Sequence, residues 1–358
     1  MKKIILVTMQ DNCNIGNRLQ NYALQRILEQ LGGKIINLDN GYTPKLSLKE
    51  HIKMEIKRFL VFFGNEKHKA SVNKQFRRKA IEKFTDMNIS NIMHVTYENV
   101  FKKKWDAYDI AIVGSDQVWH RWREDPKELP YYYLEFMPKE KRFSYAASFG
   151  FENFPMVDRE KHIEGLRAMR AISCRERSGC VLVETEIGRS ALQVLDPTLL
   201  LTAADWKSVE GDISRSVKTG EKFAFIYFLG EITEEYQIAI DCIVKERSLR
   251  IINFMDMQDD TIAHCGVGEF IKFIDCADYI LTDSFHCTVF SVLFKKEFTV
   301  FRRNQVGFEK MFGRIEDLLS SMGKLNCIYG GTKRQPSNNF DKIYADSMKY
   351  INEILEMN

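Results

Sequence analysis

Ile4 to Thr8 form an unbroken apolar and β-branched run, the pattern of a strand buried on both faces of a parallel sheet. A polar stretch from Gln10 to Gly16 predicts a loop. Asn17 then offers a cap to a helix whose Leu19, Tyr22, Ala23 and Ile27 share one face, with Gly32 and Gly33 as its stop. Ile35 to Leu38 predicts the next strand. Runs of the same kind recur at 110–113, 143–147, 171–174, 223–228, 249–253, 279–281 and 298–301, with helical patterns between most of them. Strands alternating with helices imply right-handed βαβ units and doubly wound parallel sheets.

The alternation breaks at Asp196-Pro197-Thr198-Leu199 and restarts at Phe223, which places a domain boundary near 200–220. The expected division is a first Rossmann-like domain over 1–205, a second over 206–335, and a terminal helix over 336–358. Phe340, Ile343, Tyr344, Ser347, Ile351 and Leu355 form one stripe on that helix, so it must dock on something, and the first domain is the expected place. Residues from about 45 to 105 read as a basic helical insertion. Within 45–83, 12 Lys or Arg face four Glu, and Leu48, Ile52, Ile56, Phe59, Leu60 and Phe63 make an apolar helical row. A basic amphipathic helix can lie on an anionic membrane; a solvated helical hairpin is the plainer alternative.

At 358 residues the chain is long enough for about two domains. Its 45% hydrophobic content supports sizeable cores, and a net charge of only +3 excludes a global field for nucleic acid. Lys2 and Lys3 precede only five apolar residues, too few for a secretory leader, and no run approaches the ~18 of a membrane span. Eight scattered cysteines without a C-x-x-C pair argue for a reducing, cytoplasmic setting, against a disulfide framework and against a zinc ribbon. No spacing of His and carboxylates predicts a metal site, so none is expected.

Ligands of open α/β sheets sit beyond the carboxyl ends of strands. Four polar stretches occupy such places. Gly16-Asn17-Arg18 opens a helix and suits an anion, with Arg18 adding charge to the free N–H groups. In Gly114-Ser115-Asp116-Gln117-Val118-Trp119, Asp116 can take a proton from a sugar hydroxyl and Trp119 can offer a flat face to a pyranose, with Gln117 beside them. Arg175 has the fork that grips a carboxylate or phosphate, and Glu176 can hold that fork. The strongest stretch is Thr282-Asp283-Ser284-Phe285-His286-Cys287, where Ser284 caps a helix and sets His286 in its first turn as an acid or base. Against each stands plain turn, cap, core or ion-pair chemistry, and Cys287 fits a small buried residue better than a nucleophile.

GNRLQNYALQ (16–25), IVGSDQVW (112–119), YAASFG (145–150), ISCRERSG (172–179), LDPTLLL (195–201) and ADYILTDSFHCTVFSVLF (277–294), taken in order, resemble the polysaccharide pyruvyl transferase family. The resemblance spans most of the chain. It implies a GT-B-like fold, two Rossmann-like domains facing across a cleft, and transfer of pyruvate from phosphoenolpyruvate onto two hydroxyls of one sugar. It also implies His286 as general acid/base and Arg175 as the donor's anchor. The chain departs from the family pattern at Cys287, where Gly is usual, and at His120, where Asn is common.

Enol phosphate chemistry needs an acid for the methylene carbon (His286 as its cation), a base for the hydroxyls (Asp116 or neutral His286) and fixed positive charge for two anions (Arg175, Arg18, and Arg302 or Arg303). It calls for no metal or cofactor beyond the donor. The expected partners are phosphoenolpyruvate and a sugar or oligosaccharide of a cell-surface polysaccharide, free or lipid-linked. Two rival readings are a nucleotide-sugar glycosyltransferase on the same fold and a non-catalytic sugar-binding partner in polysaccharide assembly.

Overall fold

In the computed structural model, residues 1–11, 13–41, 48–123, 125–304 and 312–357 are described. The first half runs β1 (Lys3–Val7), α1 (Ile15–Gln30), β2 (Lys34–Asp39), α2 (Leu48–Phe62), α3 (Lys69–Asn88), β3 (Ile92–His94) and β4 (Ile110–Val113). It continues through α4 (Glu128–Tyr132), β5 (Arg142–Ser144), α5 (Arg159–Arg167), β6 (Ser173–Cys174), α6 (Arg177–Ile187) and β7 (Leu192–Gln193). Strand order is β3-β2-β1-β4-β5, all parallel, and bridges from Phe143 and Ala147 carry the sheet on to β6 and β7.

After α7 (Ala203–Lys207) the second half runs β8 (Phe223–Tyr227), α8 (Glu234–Glu246), β9 (Arg250–Asn253), α9 (Asp260–Ala263), α10 (Val267–Cys276), β10 (Tyr279–Thr282), α11 (Phe285–Leu293), β11 (Phe298–Val300) and α12 (Gly313–Ser321). Its sheet, β11-β10-β8-β9, is again parallel. Ile4, Ile5, Leu6 and Val7 are fully buried, as a central parallel strand covered on both faces requires.

One apolar cluster runs unbroken from the inner face of the first sheet to that of the second, through Leu19 and Tyr22 of α1, Phe84 of α3, Trp206, Phe270 and Phe290. Separate clusters cover the outer faces. The last helix, α13 (Phe340–Glu356), lies against the first sheet: the Tyr350 hydroxyl donates to the Ser144 carbonyl at 2.9 Å, and the Leu195 amide donates to the Ser347 hydroxyl at 2.9 Å.

The stretch from about 45 to 105 is not wholly an insertion. A parallel step from β2 to β3 needs a crossover, and α3 supplies it, so only α2 is added to the fold. Lys45 lies outside the described residues. α3 also binds the second domain: Arg77 donates to the Ile262 carbonyl at 2.6 Å with its guanidinium 4.3 Å from the Phe254 ring, and Asn73 donates to Asp260 at 2.8 Å.

Candidate active site

The carboxyl ends of β1 and β4 face those of β8 and β10, and the space between them is a cavity of about 190 Å³. A water occupies ~30 Å³, so the cavity has the volume of roughly six waters, less than the ~300 Å³ that larger ligands need. Asp116 and Asn17 line it from the first domain; Tyr227, Ser284, His286, Arg303 and Arg314 line it from the second.

Two helices point their N-termini into this space. α1 is capped by Asn14, whose Oδ1 accepts from the Gly16 amide at 2.9 Å, and not by Asn17. Asn17 lies one turn further in and faces the cavity with its buried Oδ1 unbonded among the described residues. α11 is capped as expected by Ser284, whose hydroxyl accepts from the Cys287 amide at 3.4 Å. His286 therefore stands in the first turn of α11 and reaches across to α1. A Cβ placed on Gly16 would lie 2.4 Å from His286 Nδ1, so only glycine leaves room for the ring.

Behind His286 sits a buried charge network. Its Nε2 is 3.9 Å from Asp196 Oδ2, and the ring is only 13% exposed. Asp196 accepts from Arg175 at 2.9 Å and from the Thr198 hydroxyl at 2.6 Å. Burial pushes the Asp196 carboxyl up, but His286, Arg175 and Thr198 outweigh it and hold it below the usual range. Burial pushes the imidazole down, further than Asp196 and Asp116 raise it, and two helix N-termini oppose a positive charge there. The ring is thus held toward its neutral form in the free protein.

Asp116 has φ +75° and follows a cis Gly114–Ser115 peptide. Its carboxylate accepts from Gln20 at 2.9 Å, lies 3.4 Å from Arg175 and is 4.0 Å from Arg314. Gln117 lines the same wall.

Three expectations fail on geometry. Trp119 has no exposed surface; its ring stacks on Tyr133 at 5.6 Å and packs on Phe149 in the core, so no sugar can reach its face. The tryptophan at the cavity is Trp122, three residues on and 39% exposed. Arg18 is buried away from the cavity, donating to the Met9 carbonyl at 2.5 Å and to Gln10 at 3.4 Å. Arg175 is also turned from it, its guanidinium shared by Asp196, Asp116 and Glu176, which outweigh burial and raise its pKa. It holds the three carboxylates together and does not line the cavity where the expected anchor would stand.

The cations at the cavity are Arg314 and Arg303 instead. Arg314 stands at the start of α12, 5.6 Å from the Phe285 ring, and burial lowers its pKa to about 10. Arg303 donates to Asp283 at 3.2 Å. Neither Asp196 nor Arg314 was singled out as a site residue. Asp196 stood in a conspicuous Asp-Pro-Thr-Leu turn, but nothing local marks Arg314. Glu176 accepts from Ser148 at 2.7 Å and lines a wider groove of about 560 Å³ that shares the Arg314 wall. Burial raises the Cys287 thiol to about 12, which leaves it inert. Among the described residues no three His, Cys, Asp or Glu side chains gather as metal ligands.

The fold, two parallel α/β sheets facing across a cleft, is one already found among solved structures. A putative UDP-N-acetylglucosamine 2-epimerase from Listeria monocytogenes superposes with TM-score 0.51 at 9% identity, covering 100% of this chain and 97% of that one. The UDP-GlcNAc 2-epimerase of Neisseria meningitidis gives 0.48 at 10%, covering 100% of both chains. No curated protein matches. The family model for polysaccharide pyruvyl transferases matches residues 14–305, a span that starts at the Asn14 cap of α1 and takes in Asp116, Arg175, Asp196, His286 and Arg303. With so much of its length and nearly all of its charged cavity inside that match, the chain belongs to the polysaccharide pyruvyl transferase family.

Proposed function

We propose that the protein moves pyruvate from phosphoenolpyruvate onto two hydroxyls of one sugar, forming a cyclic ketal on a cell-surface polysaccharide or its precursor. The observation that carries this reading is the seating of His286, an imidazole from one domain set against the first turn of a helix from the other, beside Asp196 and above Asp116. Arg303 and Arg314 supply the positive charge for the donor's phosphate and carboxylate, so no metal is called for.

A dianion entering beside neutral His286 favours its protonation, and the imidazolium then delivers the proton to the methylene carbon. The first sugar hydroxyl adds to C2 and gives its proton to Asp116. The C2–O bond to phosphate breaks, the second hydroxyl attacks, and its proton leaves with the phosphate. One hydroxyl proton thus replaces the one now on the new methyl group, and the other departs as hydrogen phosphate.

The small cavity suits a compact donor, and the groove beyond Arg314 has room for the sugar or oligosaccharide, free or lipid-linked. The setting of this reaction is the cytoplasm at the inner face of the membrane. Incubation with phosphoenolpyruvate and a panel of galactosides, glucosides and mannosides is expected to release phosphate and add the mass of a ketal to one acceptor. Reaction with nucleotide sugars in place of phosphoenolpyruvate would overturn the reading.

A further inference from the structure

α2 carries a row of large apolar side chains on its exposed side. Ile52, Ile56, Phe59 and Phe63 are 54, 55, 64 and 70% exposed, and Phe62 beside them is 84% exposed. The spacing of four, three and four residues puts the first four on one helical line, about 16 Å long at 1.5 Å per residue. The opposite side of α2 holds it to α3: Lys57 donates to Ser71 at 3.2 Å, and Arg58 donates to Gln75 at 3.3 Å and lies 5.5 Å from the Phe76 ring. The row therefore cannot turn inward without breaking the hairpin.

From this geometry we infer that α2 is a docking surface for an anionic lipid bilayer. Lys49 and Lys53 are exposed one and two helical steps to one side of the row, and Lys67 is exposed just past Phe63. Glu55, on the other side, is paired with Arg58 at 2.5 Å. Rings at the level of lipid headgroups, with ammonium groups bracketing them, match the chemistry of that interface. A second copy of the chain fits less well, because stacking two such rows brings the lysines of both together.

The surface is coupled to the cleft through α3. Arg77 of α3 packs on Phe254, Phe254 packs on Tyr227 at 5.7 Å, and Tyr227 lines the cavity. A protein docked through α2 shares the bilayer surface to which a lipid-linked acceptor is confined. The docking surface rests on the localisation proposed above but on none of the transfer chemistry, so the two fail separately.

The test is flotation of the full chain at low salt with vesicles of phosphatidylglycerol and phosphatidylethanolamine, against vesicles of phosphatidylcholine alone. Binding to the first and not the second is expected. Phe59→Ser, Phe62→Ser and Phe63→Ser combined should weaken it at least about tenfold. Lys49→Glu, Lys53→Glu and Lys67→Glu combined should weaken it about a hundredfold. All six residues are exposed, so both variants should keep the wild-type melting temperature and the wild-type transfer, within about twofold, to the water-soluble acceptor of the panel that reacts.

Wild-type protein left at the bottom of the anionic gradient would overturn the inference. So would a wild-type dimer that the phenylalanine variant converts to monomer, since the row would then belong to a second copy. Vesicle binding without any phosphate release would leave the surface standing and remove only the transfer reading.

Discussion

His286 and His162 are both largely enclosed and both pushed toward the neutral form, yet they sit in opposite surroundings. His162 stacks on Phe154 at 5.0 Å and 8°, with Phe149 and Phe151 near, and its ring bonds the Tyr133 hydroxyl at 2.7 Å. Burial, helped by His120 and Lys161 and opposed by Asp158, brings its pKa down to about 4. His286 has Asp196, Asp116, Arg175 and Arg314 around it and an open cavity before it. Desolvation is common to both; convergent charge on a solvent-reached cavity belongs to one. That difference separates a core histidine from a reacting one.

The two histidines should differ most in activity. His286→Ala should lower kcat for phosphoenolpyruvate-dependent transfer by 10²–10⁴-fold, about 3–5 kcal/mol of barrier, with little change in melting temperature. His162→Ala should do the reverse, and equal activity losses in the two variants would erase the distinction. Arg175→Met should cost about 3–5 kcal/mol of stability in denaturant titrations, because it strands buried Asp196. A variant as stable as wild type would mean that Arg175 is not the structural cation described here.

The pH dependence sharpens the other side. His162 has a folded pKa below its unfolded value, so between about 4 and 6.5 the unfolded chain binds the extra proton. Its contribution is fully present above pH 6.5 and is lost as pH falls toward 4, by about 3 kcal/mol in all. Unfolding free energies of wild type and His162→Asn should converge over that window. The smallest effect is steric: Gly16→Ala, which drives a methyl into the His286 ring, should cost about 1–3 kcal/mol and lower kcat, while leaving the His162 pH window untouched.

Much of the second half-site was readable without coordinates. Ser284 caps α11 and His286 falls in its first turn because a Ser before an apolar run that follows a buried strand has few other places to go. Trp119 and Arg18 misled for a shared reason. Each stands beside residues that do line the cavity, and a strand end or helix start places neighbouring side chains on different faces. The Trp119 ring and the Arg18 guanidinium are turned into the first domain, and only Trp122 emerges.

Periodicity and end signals are local, and they were enough to define the alternating strands and helices, the basic helix with its apolar row and the start of α11. Which cations face the cavity was decided by packing between segments far apart in the chain. Arg175 meets Asp196 across 21 residues and Asp116 across 59, and Arg314 enters from α12 with no local mark at all. The fit of an imidazole over Gly16 joins positions 270 residues apart, a contact that exists only once the two sheets have closed on their shared core.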